Sequence, residues 1–97
     1  MPASKNRNQL SILSANVRGL QTNIGDLINS HVIPHTPDIV ATVETFLNDT
    51  IPQNFGQING YSRWHRRDRE QGTFGGVAVC FNKTLSIQQL DVTLPKP

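Results

Sequence analysis

The sequence predicts an α/β fold, and three features of its first half carry that prediction. Residues 10–16 alternate apolar and small polar side chains, as a short strand does. Residues 23–33 place apolar side chains at helical spacing, and residues 38–44 form a mostly apolar run rich in β-branched residues. Strand, helix and strand joined by short connections make a βαβ unit, so the two strands are expected to be adjacent and parallel.

The helix of this unit has candidate signals at both ends. Thr22 or Asn23 can cap its first turn, because short polar side chains accept hydrogen bonds from free backbone N–H groups. Pro34 and Pro37 follow its last periodic residue, and proline cannot continue the hydrogen-bond ladder of a helix. We therefore expect the helix to end before Pro34.

The second half of the chain reads as a loop followed by strands. Residues 47–60 carry Asn, Asp, Pro and Gly and are typical of a loop, whereas residues 61–66 and 76–81 read as strands, the second buried on both faces. The Gly-containing connector 67–75 suits an antiparallel hairpin. Residues 85–92 have the weak alternation of an edge strand, and residues 1–9 form a polar lead that we expect to be disordered.

Composition bounds the class of protein. The 97 residues make one domain or part of one. Nine Lys and Arg against seven Asp and Glu leave a net charge of +2, too small to argue for nucleic-acid binding by bulk electrostatics.

A single cysteine, Cys80, excludes an internal disulfide and is typical of an intracellular protein. Without a signal sequence or an apolar stretch of roughly 18 residues, we expect a soluble, non-secreted protein with no membrane contact and no evident signal for oligomers.

Polar residues end both strands of the βαβ unit. Asn16 closes the first strand and Glu44 closes the second. Because parallel neighbours lie about 4.8 Å apart and finish at the same edge, the two side chains can point at one ligand. A turn-forming asparagine and a solvated acid are the plainer interpretation of the same residues.

Three strings in this chain resemble those of a known family. Residues 13–20 read LSANVRGL, residues 44–47 read ETFL, and residues 61–69 with 75–78 read YSRWHRRDR and GGVA. In this order and spacing they resemble the endonuclease/exonuclease/phosphatase family, most closely the endonuclease domains of non-LTR (LINE-like) retrotransposons. The chain departs from many DNA-repair members at Arg18, where those carry Asp, and has Phe74 in place of the first residue of a glycine triplet.

This resemblance implies a fold and a chemistry. The fold would be part of a four-layer α/β sandwich of the DNase I-like type over residues 10–97, and the activity Mg²⁺-dependent cleavage of DNA. Glu44 would bind the metal, and Asn16 would orient the scissile phosphate or a metal-bound water. The family's later Tyr, Asp-x-Asn and Asp-His residues have no counterpart here, which implies an N-terminal fragment that is inactive alone. A reverse transcriptase domain in the parent polyprotein and an intracellular location, the nucleus included, would follow.

Arginines supply the candidate nucleic-acid contacts. Arg18 adjoins the strand edge, and Arg63, Arg66 and Arg67 lie in a basic run where Trp64 is able to stack on a base. Strand alternation offers another interpretation: Arg63 and His65 face one way, and Trp64 and Arg66 face the other. In this interpretation Arg67 pairs with Asp68 or Glu70. Both interpretations stay open on the sequence alone.

A non-catalytic RNA-binding module is one rival interpretation of the chain. Residues 10–20 and 72–81 faintly resemble the paired strands of an RNA-recognition motif, although about sixty residues separate them. A non-catalytic interaction domain, with Asn16 and Glu44 as accidents, is the other rival. The three histidines lack metal-ligand spacing, and Cys80 lies among apolar residues without a nearby base, which argues against a nucleophile.

Overall fold

A computed structural model describes residues 10–69 and 75–85 of the chain. The polar lead 1–9 and all but the first residue of the expected edge strand 85–92 lie outside the described residues. So does the middle of the hairpin connector, at residues 70–74.

The described elements form one four-stranded sheet with helical turns on one side. Their order is β1 (Ile12–Asn16), α1 (Leu20–Leu27), a π-helical turn (Ile28–Val32), α2 (Ile33–His35), β2 (Ile39–Val43), β3 (His65–Arg67) and β4 (Val77–Phe81). The strand order across the sheet is β1-β2-β4-β3. A mixed α/β fold is therefore confirmed.

The βαβ unit and the hairpin form as predicted. Strands β1 and β2 are parallel neighbours, with a register that runs from Ile12 opposite Ile39 to Asn16 opposite Val43. Strands β3 and β4 pair antiparallel, and β4 also pairs antiparallel with β2. All five residues of β4 are buried, as expected for a strand covered on both faces.

The helix boundaries predicted from the sequence are wrong at both ends. The helix begins at Leu20, so Asn23 lies inside it and its side-chain amide donates back to the carbonyls of Val17 and Gly19 at 2.8 and 3.1 Å. Helical backbone also continues through Pro34 to His35, after a π-helical turn. Pro34 has no backbone N–H and cannot donate a hydrogen bond in an α-helix. The π-helical turn changes the spacing of the hydrogen bonds just before this proline. No helix in residues 10–69 and 75–85 is long and apolar enough to cross a membrane.

The strand predicted at residues 61–66 is shorter than expected. Regular pairing covers only His65–Arg67, and Tyr61 forms an isolated bridge with Asn82. The indole of Trp64 instead turns into the core and donates to the carbonyl of Gly56 at 2.8 Å. Burial of this ring takes precedence over a longer ladder at the edge of the sheet.

The two faces of the sheet are covered to different degrees. The helix-side core contains Leu20, Leu27, Val40, Leu47 and Trp64, all 3% exposed or less. The opposite face carries a smaller cluster that includes Ile39, Val79 and Phe81. On that face Ile12 is 58% exposed and Val43 is 44% exposed. The apolar stripe on this side of the sheet is thus covered only in part.

Candidate active site

The two strand-ending polar residues meet at one edge of the sheet. The side-chain amide of Asn16 donates to Oε2 of Glu44 at 2.8 Å, across 28 positions of sequence. The parallel register explains this contact, because it sets Asn16 opposite Val43, the residue before Glu44. The convergence expected from the βαβ unit is therefore observed.

Unusual backbone conformations cluster around this pair. Among the described residues, four non-glycine residues have positive φ, and three of them, Arg18, Glu44 and Phe46, lie at this edge. A residue that continued β2 would point to the opposite face from Val43, whereas φ 56° at Glu44 ends that alternation. Such conformations cost about 1–3 kcal/mol each and tend to persist at functional sites.

Backbone hydrogen bonds hold the edge in place. The N–H of Gly19 donates to the carbonyl of Glu44 at 2.9 Å, and that of Leu20 donates to Thr45 at 2.9 Å. From the other side, the N–H of Phe46 donates to the carbonyl of Gly75 at 2.9 Å. The segment after β2 is thus fastened both to the β1–α1 turn and to the start of β4.

Gly76 has no room for a side chain at this crossing. It has φ 92°, and a Cβ would lie 2.6 Å from Oγ1 of Thr45. That hydroxyl is buried and has no hydrogen-bond partner among the described residues. Glycine at this position is therefore explained by its positive φ and by the close approach of the Thr45 side chain beside the site.

We predict opposite effects for alanine at two glycines. Gly76→Ala should lower the free energy of unfolding by about 1–3 kcal/mol, because it combines a disfavoured φ with a steric clash. Gly25→Ala is the matched control, since this glycine lies in α1 with open space around it and alanine favours helix by about 1 kcal/mol. Urea denaturation measures both, and equal stability of the two variants would contradict the crowding at Gly76.

A groove opens beside the pair, between β1 and α1. Its volume is about 320 Å³, and Asn16, Arg18, Asp26 and His31 are among its lining residues. Arg18, Asp26 and His31 are exposed. The sequence analysis did not identify Asp26 or the groove. Which helix side chains face β1 depends on the start of the helix at Leu20 and on the π-helical turn, and neither was predicted.

The pair offers oxygen ligands for a hard cation but does not complete a metal site. Oε2 of Glu44 accepts a hydrogen bond from Asn16, and no hydrogen bond to Oε1 is present among the described residues. Carboxylate and amide oxygens suit Mg²⁺. Within residues 10–69 and 75–85, however, no three acidic, histidine or cysteine side chains come together as a metal-binding group. Glu44 and Asn16 therefore fit part of a Mg²⁺ site.

The predicted nucleic-acid residues separate into exposed and buried ones. Arg18, Arg63 and Arg67 are exposed. The guanidinium side chain of Arg66 is 1% exposed and hydrogen-bonds within the chain, and Trp64 is 2% exposed. A base cannot stack on a ring in that position, so the stacking role expected for Trp64 is wrong. Asp68, one of the two acids considered as a partner of Arg67, pairs with Arg66. The other, Glu70, lies outside the described residues.

The sheet register orders the exposed arginines relative to the site. One row of paired residues crosses the sheet from β1 to β3. In order, its members are Asn16, Val43, Val77 and Arg67. Arg67 thus shares a row with Asn16 and lies three strand spacings away, roughly 14 Å. Arg63 adjoins Ser62, whose N–H donates to Phe81 at the far end of β4.

The other candidate side chains lie away from the pair or are inert. The ring of His65 packs against Phe81 with centroids 5.5 Å apart. Burial raises the pKa of the Cys80 thiol to about 12, so this thiol stays protonated at ordinary pH and is not a nucleophile. His31 lines the same groove as Asn16.

Comparison with known proteins identifies the fold through solved structures. No family profile and no curated protein sequence matches the chain. A 3′ phosphatase, NExo from Neisseria, solved with a product DNA hairpin, is similar at 25% identity over 76% of this chain, with TM-score 0.57. AP endonucleases from Archaeoglobus fulgidus (22% identity over 75% of this chain, TM-score 0.60) and Leishmania major (18% over 89%, TM-score 0.67) are similar in structure.

The chain is much shorter than these proteins. It spans 28% of the Neisseria and Leishmania proteins and 27% of the Archaeoglobus protein. One is a 3′ phosphatase and the other two are AP endonucleases. The chain therefore has a nuclease-like α/β fold of the DNase I type.

Proposed function

We propose that this chain is the N-terminal part of a Mg²⁺-dependent endonuclease domain that cleaves DNA. The observation that carries the proposal is the 2.8 Å contact between Asn16 and Glu44, held at a strand edge by residues with positive φ. Similarity to DNA nucleases supports it at the level of the fold. The motif order of residues 13–20, 44–47 and 61–78 leads us to propose a retrotransposon origin, with a linked reverse transcriptase and a nuclear site of action.

In this proposal each residue of the pair has its own task. Glu44 binds the metal through its carboxylate, and Asn16 fixes the orientation of that carboxylate while its amide is positioned to hold a phosphate oxygen. Bound Mg²⁺ would supply electrostatic stabilisation of charge that develops on the phosphate. Holding both groups in place beforehand matters, because a preorganised site needs no rearrangement during the reaction.

The general base is proposed to come from outside the 97 residues. Mg²⁺ requires near-octahedral geometry, which one carboxylate and one amide do not provide. The aligned part of this chain covers only 28% of the Neisseria protein and 27% of the Archaeoglobus protein. We therefore propose that the chain alone lacks nuclease activity.

Nicking of supercoiled plasmid in Mg²⁺ tests the proposal. We expect the full-length protein that contains this chain to convert supercoiled plasmid to the open circular form, and EDTA to stop it. The purified 97-residue chain should leave the plasmid intact under the same conditions. Metal-dependent nicking by the chain alone, lost on Glu44→Ala, would refute the need for further residues while supporting the role of Glu44.

The exposed arginines near the site are proposed to contact the DNA backbone. Arg18 lies two residues after Asn16, in the β1–α1 turn, and Arg67 shares the row of Asn16 in the sheet. Arg63 lies toward the other end of β3, so it would contribute only where DNA extends along that strand. Arg66 is left out, because its side chain is buried.

We predict that Arg67→Ala weakens DNA binding and makes it less dependent on salt. Each lost phosphate contact should reduce the slope of log K against log salt concentration by about 0.9 for duplex DNA. Lys83→Ala is a matched control, because Lys83 is an exposed cation beyond the far end of β4. Fluorescence anisotropy over a salt series measures the slopes. Equal slopes for wild type and Arg67→Ala would remove Arg67 from the interface.

A further inference from the structure

The guanidinium of Arg66 is buried and fully occupied within the chain. Its side chain is 1% exposed. Nε and Nη2 donate to the two carboxylate oxygens of Asp68 at 3.2 and 2.6 Å. Nη1 donates to the carbonyls of Ile51 and Pro52 at 3.1 and 2.7 Å, and Nη2 also donates to Asn48 at 3.0 Å. All five N–H donors of an arginine therefore have acceptors.

The three backbone carbonyls that accept from Arg66 belong to the 47–52 segment, which follows the candidate site along the chain. Asn48, Ile51 and Pro52 lie in the turn that follows Leu47, a residue 1% exposed in the helix-side core. Four positions separate Asn48 from Glu44. Burying a cation is costly unless its partners are placed well, so this turn is held in one arrangement.

The backbone of Asp68, whose carboxylate binds Arg66, lies next to Gly76, where the segment after Glu44 is hydrogen-bonded. A Cβ on Gly76 would be 3.7 Å from Cα of Asp68 and 2.6 Å from Oγ1 of Thr45. The carbonyl of Gly76 accepts from the N–H of Thr45 at 3.4 Å. The Arg66–Asp68 pair thus connects the 48–52 turn to the contact between Gly76 and Thr45. That contact also holds the segment after Glu44.

We infer that Arg66 is a positioning residue for Glu44, which it holds through the 47–52 segment. This inference rests on the proposed function for the role of Glu44, but the packing argument is independent of it. The geometry needs a planar group with five donors directed at separate carbonyls and one carboxylate. Lysine has a single ammonium group and cannot reproduce that pattern.

Amide hydrogen exchange in the full-length protein tests the inference. We expect Arg66→Lys to speed exchange of the Gly19 and Phe46 amides, which bond to Glu44 and Gly75, by at least about tenfold. Asp68→Asn should act in the same direction and serves if Arg66→Lys is poorly folded. Arg63→Ala replaces an exposed arginine three residues before Arg66 and should leave the exchange of both amides unchanged.

A second readout separates positioning from DNA contact. In plasmid nicking, Arg66→Lys should lower kcat by at least about tenfold and change KM by less than about threefold, because lost alignment impairs the reaction more than binding. A raised KM with unchanged kcat and unchanged exchange would show that Arg66 contacts DNA, and would overturn the inference. So would faster exchange confined to residues 48–52. If no variant or wild type nicks DNA, the proposed function fails while the exchange data still decide the role of Arg66.

Discussion

Alanine in place of Glu44 is expected to lower the rate of Mg²⁺-dependent nicking by the full-length protein by at least about a hundredfold. Loss of even an outer-shell partner of a bound metal costs about 10–100-fold, and Glu44 is proposed to contact the metal directly. The fold should survive, because Glu44 is at the end of β2 and only partly buried. The hydrogen bond that the Glu44 carbonyl accepts from the N–H of Gly19 also does not involve the side chain.

Two further variants make the result specific to a charged ligand. Glu44→Gln keeps the size of the side chain and its hydrogen bond from Asn16, but removes the charge, so it should be nearly as inactive as alanine. Asp49→Ala removes an exposed acid from the following loop and should nick at the wild-type rate. Activity of Glu44→Gln close to wild type would mean that the carboxylate only supports Asn16.

The second large effect is expected for Trp64→Ala, on stability rather than on DNA binding. Trp64 is 2% exposed and donates from Nε1 to Gly56 at 2.8 Å, so its removal leaves a large cavity and an unpaired carbonyl. Substitutions of this kind cost about 3–5 kcal/mol, a large share of the 5–15 kcal/mol that stabilises a typical domain.

Urea denaturation followed by far-UV circular dichroism measures this loss. Fluorescence is unsuitable, because Trp64 is the only tryptophan. Arg63→Ala should change the stability by less than about 0.5 kcal/mol, as expected for an exposed residue. A stable Trp64→Ala protein with weakened DNA binding would contradict the burial and restore the base-stacking role.

The sequence was sufficient to predict the part of the fold that creates the candidate site. Alternation in residues 10–16 and the β-branched run 38–44 identified β1 and β2, and the short connections made them parallel neighbours. That topology alone brings Asn16 to Glu44. It needs no knowledge of side-chain packing, which is why periodicity and chain order were enough.

Details that depend on tertiary packing could not be predicted in this way. Asn23 looked like a helix cap, yet it bonds back to the turn because the helix begins at Leu20. Alternation placed Trp64 and Arg66 on one face, but only the folded 48–56 loop supplies the carbonyls that take their hydrogen bonds. A basic run therefore contained one structural arginine among exposed ones.

The location of a bound metal decides whether Glu44 is a metal ligand. Crystals of the full-length protein with DNA and Mn²⁺ in place of Mg²⁺ would show the ion by anomalous scattering. We expect a peak about 2.1 Å from a carboxylate oxygen of Glu44, with the Asn16 amide beside it and a phosphate oxygen in the same coordination sphere. A metal bound elsewhere on the DNA-facing surface, with Glu44 bonded to Asn16 alone, would contradict the account.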